Sequence, residues 1–323
     1  MRIEFYSPNL ERKAISYTWV SLLWRPEYYG VGLFLVEFQR DAELFGLLSE
    51  MDYAKLDEDD NLMIVTTIQI KDNKLVVGGF SANWIFTQRV SEKVISNKNA
   101  EQSMRELVAE MSPWDNLSLG ESAGLSDVFS AQISDYSLSN YFKIIGEATD
   151  VGYRVRKDRK SLLFECYKPG LNTDYKFSAT LGNMKKEKYI SSENEYKNVA
   201  IVAGGGEGTE RVSVTVGETS ATGKDRREVY IDARAIQPEE GESDESYRNR
   251  LALHGKKELA TQNRIKNTEF EIQEESLKLG DLVSVVSSYT GETYTARITS
   301  YTIKSQNNKV TKTVSIGSPV IRI

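Results

Sequence analysis

The residues that could do chemistry form short clusters, and each cluster can be held against the chemistry it would serve. Gly120-Glu121-Ser122-Ala123-Gly124 matches G-x-S-x-G, the turn that presents a nucleophilic serine between a buried strand and a helix. The preceding residues, Trp114-Asp115-Asn116-Leu117-Ser118-Leu119, do not read as a buried strand. A triad also needs a histidine, and the only one is His254, at helical spacing from Leu251 on a Lys-rich stretch. A flexible loop around Ser122 and a packing or surface role for His254 are the simpler readings. Gly204-Gly205-Gly206-Glu207-Gly208 lacks dinucleotide-loop spacing and is followed by another strand pattern, so it reads as a hairpin turn. Residues 217–225 (GETSATGKD) are one residue too long for a P-loop, with Asp225 where Ser or Thr must hold magnesium.

Acidic and basic runs fare no better. Asp57-Glu58-Asp59-Asp60-Asn61 could attract a cation, but Leu62 and Ile68 stand where a calcium loop needs Gly and Glu. A solvated hairpin loop is the expectation there. The basic run from Arg156 to Lys160 contains Asp158 and reads as a solvated turn. Cys166 is the only cysteine, which excludes an internal disulfide and a cysteine-based zinc site. No catalytic, cofactor-binding or metal-ligating residue is therefore assigned, and the chain reads as a non-enzyme.

The elements that would position any site are mostly strands. Residues 1–95 show repeated period-2 alternation, as at Ile3 and Phe5 and at Ile15, Tyr17 and Trp19. Leu33-Phe34-Leu35-Val36 reads as a strand buried on both faces. Residues 64–70 and 75–80 make a hairpin across Lys71-Asp72-Asn73-Lys74. Residues 42–48 fit either a short helix or an edge segment. Asn99 with Gln102 has capping spacing before the helical stripe Met104, Leu107, Val108 and Met111, which Pro113 ends. A second helix carries Leu138, Tyr141, Phe142 and Ile145, and a hairpin follows across Asp158-Arg159. Ser243 can cap a longer helix over about 243–262, with Tyr247, Leu251 and Leu259 on its buried face. The last stretch, 277–317, holds three β runs split by turn signals at Thr290-Gly291 and Asn307-Asn308. Its middle run changes phase near Thr299, which predicts a β-bulge.

These patterns predict a mainly β chain with an α+β insert: two β-barrel domains, 1–95 and 191–323, bracketing a small α+β domain at 96–190. The 323 residues suffice for two or three cores. The formal charge of −6 and the pI near 5.3 disfavour a surface that wraps nucleic acid. No apolar run approaches the roughly 20 residues of a membrane span, and MRIEFYS has no signal-peptide core, so synthesis in a cytoplasm is expected.

One collinear series of residues carries a resemblance. It runs through Trp24-Arg25, Tyr28, Gly30, Gly32-Leu33-Phe34, Gly79 and Arg89. It continues with Tyr196 to Gly208, Arg211, Arg226 to Arg234, Tyr247 to Leu251, Gly255 to Leu259 and Leu279-Gly280-Asp281-Leu282-Val283. Over about 1–317 the chain resembles the siphophage tail-hub, or tail-associated, proteins, whose fold is similar to the baseplate hub of contractile phage tails. The resemblance implies a structural virion protein: a homotrimeric ring at the tail tip of a phage or prophage. Two β-barrels per subunit would let the ring seat on the hexameric distal tail protein. It would surround the C-terminus of the tape-measure protein, carry a downstream tail fibre or receptor-binding protein, and let DNA pass without specific binding. Many relatives carry a further C-terminal lytic or receptor-binding part, whereas this chain ends at Ile323, so a separate polypeptide is expected to complete the tip. A tail-associated hydrolase using Ser122, or a receptor- or carbohydrate-binding tip protein, are the alternatives. For the trimer, the aromatic-rich segments 24–29 and 80–86 are either subunit contacts or core, and a lumen of negative sign is expected.

Overall fold

Period-2 alternation dominates the chain, and the computed structural model is mainly β. It describes residues 1–57, 59–91, 95–131, 136–206, 211–239, 241–260, 262, 265–272, 277–289, 291, 293–306 and 309–316. Thr290, Asn307, Asn308 and Gly317 of the C-terminal stretch, Glu58 of the acidic run, and Glu207 and Gly208 of the glycine run lie outside the described residues.

Strands from both ends of the chain enter one large sheet. Its path starts at the edge strand Met184–Ser192 and passes through Ile265–Ile272, Lys309–Ile316 and Thr293–Gln306. It then crosses to Ser21–Arg25, Leu33–Gln39, Lys74–Ser81, Leu62–Lys71, Tyr53–Leu56 and Ile3–Tyr6, and ends at Arg12–Ser16. Leu282–Val286 branches from Thr293–Gln306 and carries Leu171–Ser178 parallel beside it. The path is open at both edges, and no closed barrel is found among the described residues. The reason lies in Thr293–Gln306. Its first half pairs with Leu282–Val286, and its second half pairs with both Lys309–Ile316 and Ser21–Arg25. The register shifts between Ile298 and Ser300, where the sequence alternation changes phase. The bulge bends the strand so that it serves both halves. One core results, with Ile3, Phe5, Trp24, Phe34 and Val77 packed together with Phe177, Phe270, Val283, Ile298 and Val314.

Local signals are realised closely. Asp72 and Asn73 both have positive φ, the I′ geometry of a two-residue hairpin, between Leu62–Lys71 and Lys74–Ser81. Residues 42–48 resolve into helix α1 (Ala42–Leu47), capped by Asp41. Leu33-Phe34-Leu35-Val36 differs from its expectation. Phe34 and Val36 are buried, but Leu35 is 41% exposed, because this antiparallel sheet has one solvent face.

The insert contains α2 (Ala100–Glu110), whose cap Asn99 accepts the Gln102 N–H at 2.8 Å, and α3 (Leu138–Thr149). The helices pack with the hairpin Gly152–Asp158/Ser161–Tyr167 around Met104, Phe142, Tyr153 and Phe164. Ile64, Ile85 and Phe86 from the N-terminal β region complete that core. The strands Val199–Ala203, Ser213–Gly217 and Glu228–Asp232 do not join the large sheet. They form a separate three-stranded sheet covered by α4 (Asp244–Ala260). Ser243 caps α4, accepting the Ser246 N–H at 3.2 Å.

The insert is fastened at one point by a buried cation. Arg297, 5% exposed, donates through Nε to Asp150 Oδ1 at 2.7 Å and through a second nitrogen to Oδ2. It also donates to the carbonyls of Pro169 and Gly280, and it lies over the Tyr28 ring at 5.5 Å. Desolvation opposes the Arg297 charge, but the Asp150 carboxylate outweighs it and the guanidinium pKa is raised. Asp150 ends α3 in the left-handed region at φ 62 and also accepts the Tyr29 hydroxyl at 2.6 Å. Tyr28 is fully buried and donates to the Tyr167 carbonyl at 2.8 Å. Gly152 is required beside it, since a Cβ there would stand 2.0 Å from the Tyr28 ring. Replacing Arg297 with Met keeps the apolar stem and strands two carbonyls and a carboxylate. It should lower unfolding free energy in urea by about 3 kcal/mol, and a loss under about 1 kcal/mol would show that the pair is not structural.

Candidate functional site

The G-x-S-x-G run folds as a loop against the first turn of α2. The Ser122 hydroxyl donates to Glu101 Oε1 at 2.8 Å, the Ala123 N–H to the same oxygen at 2.7 Å, and the Leu125 N–H to Oε2 at 2.9 Å. Glu101 is nearly inaccessible to solvent. Desolvation pushes its pKa up, but the bonds from Leu125, Ser122 and Ala123, with Arg105 nearby, outweigh it and hold the carboxyl below its usual range. A carboxylate stabilised in this way is a poor base. Arg105 also donates to the Gly120 carbonyl at 2.9 Å. The strand before the loop, Leu117–Leu119, is three residues long and half-open to solvent, and residues 120–127 form no helix. His254 sits on α4 in the separate α4 unit. The arrangement is a carboxylate pinning a loop, and it lacks the histidine base, the buried strand and the following helix of a nucleophile turn.

The other motifs are also structural. Gly204 to Gly206 follow Val199–Ala203 and lead toward its antiparallel partner Ser213–Gly217, as a hairpin connection should. Residues 217–225 end in a short 3-10 turn, Gly223–Asp225. Gly217 has φ +95, and a Cβ there would meet the Asn198 carbonyl at 2.2 Å. The acidic run corrects its expectation as a solvated loop. Asp59 is buried and accepts the Trp24 indole N–H at 2.7 Å, the Tyr301 hydroxyl at 2.6 Å and the Asn61 N–H at 2.8 Å. Burial and the Asp59 charge drive the Tyr301 phenol well above its ordinary pKa. Asp59 thus ties the N-terminal strands to Thr293–Gln306. In the basic hairpin, Arg156 pairs with Glu165 at 2.7 Å and Lys157 lies over the Tyr6 ring at 4.7 Å. Cys166 is buried with Sγ 3.7 Å from Met104 Sδ, and burial pushes its thiol pKa up. Among the described residues, no group of three or more His, Cys, Asp or Glu is placed to hold a metal.

Pattern reading missed the network around Arg211. Its guanidinium donates to the carbonyls of Ala203 and Gly204 and to the Tyr230 hydroxyl, each at 2.8 Å, and pairs with Asp232. Arg234 chelates the same carboxylate, and its bonds, with those of Arg211, hold the exposed Asp232 far below the usual carboxylate range. The signal was present as the Arg211 and Asp232-Ala233-Arg234 spacing, but a charge list cannot show that these residues face one another.

The surface left for partners is narrower than the sequence suggested. Trp24, Tyr28 and Phe86 are fully buried, so segments 24–29 and 80–86 are mostly core. Among the aromatic residues of these segments, Phe80 is substantially open, at 39%. It lies opposite Leu33, and the neighbouring Leu35 lies opposite Leu23, so the outer sheet face carries a small apolar cluster. Ser122→Ala should leave hydrolysis of a chromogenic ester at the background rate of the wild type. Glu101→Gln should cost about 1–3 kcal/mol in thermal or urea unfolding; the reverse pattern, lost hydrolysis with intact stability, would restore the nucleophile reading.

Residues 63–318 match the siphovirus ReqiPepy6 Gp37-like protein family. No curated protein matches the chain. Among solved structures, the 43 kDa tail protein of prophage MuSo2 from Shewanella oneidensis superposes with a TM-score of 0.55 at 10% identity, over 98% of this chain and 98% of that one. A tail protein from Neisseria meningitidis MC58 gives 0.55 at 10% identity, over 97% and 95%. The prophage tail protein gp18 from Listeria monocytogenes EGD-e gives 0.50 at 9% identity, over 98% and 94%. At these identities the likeness is one of fold, and it extends across nearly the whole chain. The matched span covers most of the sequence, and the chain belongs to the siphovirus ReqiPepy6 Gp37-like family, with a fold shared by prophage tail proteins.

Proposed function

We propose that this chain is a structural, non-enzymatic hub subunit of a phage tail tip. The observation that carries the reading is family membership over residues 63–318 together with a fold shared end to end with prophage tail proteins. In this reading the chain forms a homotrimeric ring between the sixfold tail tube and the threefold tip. Residues 1–95 and 191–323 supply two hub modules per subunit and 96–190 the insert, so that six modules meet a hexameric distal tail protein. The large sheet shared by both halves supports this, because it would hold the two modules of a subunit at one angle. The tape-measure C-terminus would end inside the ring, a fibre or receptor-binding protein would continue the tip, and DNA would pass without specific binding.

A ring of three needs heterologous contacts that close, and a permanent one buries roughly 2,000 Å² or more per interface. The apolar cluster of Leu23, Leu33, Leu35 and Phe80 is the favoured contact, since these side chains are neighbours on one sheet face and contiguous apolar patches mark association sites. Light scattering should return three times the 36.5 kDa chain mass for the chain alone, or that mass added to the distal tail hexamer in their complex, and Leu35→Glu with Phe80→Glu should lower it. A dimer, or a monomer even in the presence of that partner, would overturn the proposal. The bore of the assembled ring should be negative in potential, and a strongly basic one would argue against DNA passage.

A further inference from the structure

A heterologous contact needs two different surfaces, and the sheet patch around Leu35 is only one of them. Helix α1 carries the features of the other. It buries Leu44 and Leu48, at i and i+4, in the core of the large sheet. The three residues between them turn outward. Phe45 is 43% and Leu47 40% exposed, and a Cβ on Gly46 would meet nothing within 4 Å. Phe45-Gly46-Leu47 is thus an apolar knob. Its base is fixed, because Asp41 accepts the Glu43 and Leu44 N–H groups at 3.0 and 2.9 Å. The charged residues from 41 to 50 are Asp41, Glu43 and Glu50, all acidic. Glu43 and Glu50 are exposed, and among the described residues neither has a cation within ion-pair distance.

The patch has a rim of the opposite sign. Leu35 lies over Gly78, where a Cβ would come within 3.0 Å of its Cδ1. Exposed Lys304 stands opposite Leu23, and exposed Arg25 stands opposite Leu33. Arg25 has only a solvated partner, Glu27 at 3.4 Å, and among the described residues Lys304 has no carboxylate within ion-pair distance. Like surfaces therefore repel: knob on knob sets Glu43 and Glu50 against their own copies, and patch on patch does the same for Lys304 and Arg25. Knob on patch buries apolar groups at the centre and places acids beside bases at the rim. We propose that α1 of one copy docks on the outer sheet patch of the next, head to tail, with the second copy of this chain as the occupant. The apolar side chains hold the contact, and the rim charges choose the partner surface, since exposed ion pairs add little affinity. The inference rests on the tail-hub reading for the number of copies in the ring.

Two measurements on the full chain test it. Phe45→Glu with Leu47→Glu, both at exposed positions, should weaken assembly by about tenfold or more, read by light scattering on dilution as mass falling from three chains toward one. The second measurement uses the burial of Cys166, which leaves engineered cysteines as the reactive thiols. Leu47→Cys copies and Leu35→Cys copies are mixed by dilution and reconcentration, then treated with a short bismaleimide. A two-chain band is expected in the mixture and in neither variant alone, and this arm keeps the test decisive if the double Glu variant fails to fold. A wild type that forms no trimer, alone or with the distal tail protein, would overturn the hub reading and this contact with it. A trimeric wild type whose mixture gives no two-chain band would overturn this contact alone. So would a band from Leu47→Cys by itself, which means a knob-on-knob contact. A double Glu variant that stays trimeric but no longer binds the distal tail protein would also overturn it, by giving the knob to that partner.

Discussion

The burial of one guanidinium sets the geometry of this protein. Arg297 comes from the strand that both halves of the sheet share, and its carboxylate partner ends the second helix of the insert, 147 residues away in sequence. A buried, uncompensated charge costs several kcal/mol, so the pair tolerates little displacement once made. The Pro169 and Gly280 carbonyls and the Tyr28 ring complete its shell. The insert, the N-terminal segment and the C-terminal meander therefore meet at a fixed angle.

Several oddities of the sequence follow from that constraint. Tyr28 is enclosed so tightly that Gly152 and Gly280 leave room where a Cβ would collide with its ring. Asp150 adopts a left-handed conformation uncommon for a residue with a side chain. Its carboxylate is thereby free to receive Arg297 and Tyr29 together. Asp59 makes a second tie between the ends of the chain, through Trp24 and Tyr301. Two carboxylates, the buried Asp59 and the half-exposed Asp150, each held by donors from distant segments, do for this open sheet what closure would do for a barrel: they prevent the halves from sliding.

Saturation also marks the motifs that look chemical. Glu101 accepts the Ser122 hydroxyl, and Asp59 accepts the Trp24 indole N–H and the Tyr301 hydroxyl. A carboxylate whose oxygens are taken by several donors has few lone pairs left for a cation.

What the chain alone determined was whatever depends on neighbours in sequence. Asn99 and Ser243 cap their helices, Asp72-Asn73 turns its hairpin, and the change of phase near Thr299 is the bulge in Thr293–Gln306. Backbone dihedrals and short-range hydrogen bonds fix these features, and both are written in a few adjacent residues. Only the tertiary structure decided which strands pair across the chain, as Ile303 does with Trp24. It also decided that Leu35 faces outward, that Asp59 is interior, and that Arg297 meets Asp150. Those outcomes depend on burial and on partners brought together by the sheet, and period-2 alternation specifies a face without saying what will cover it.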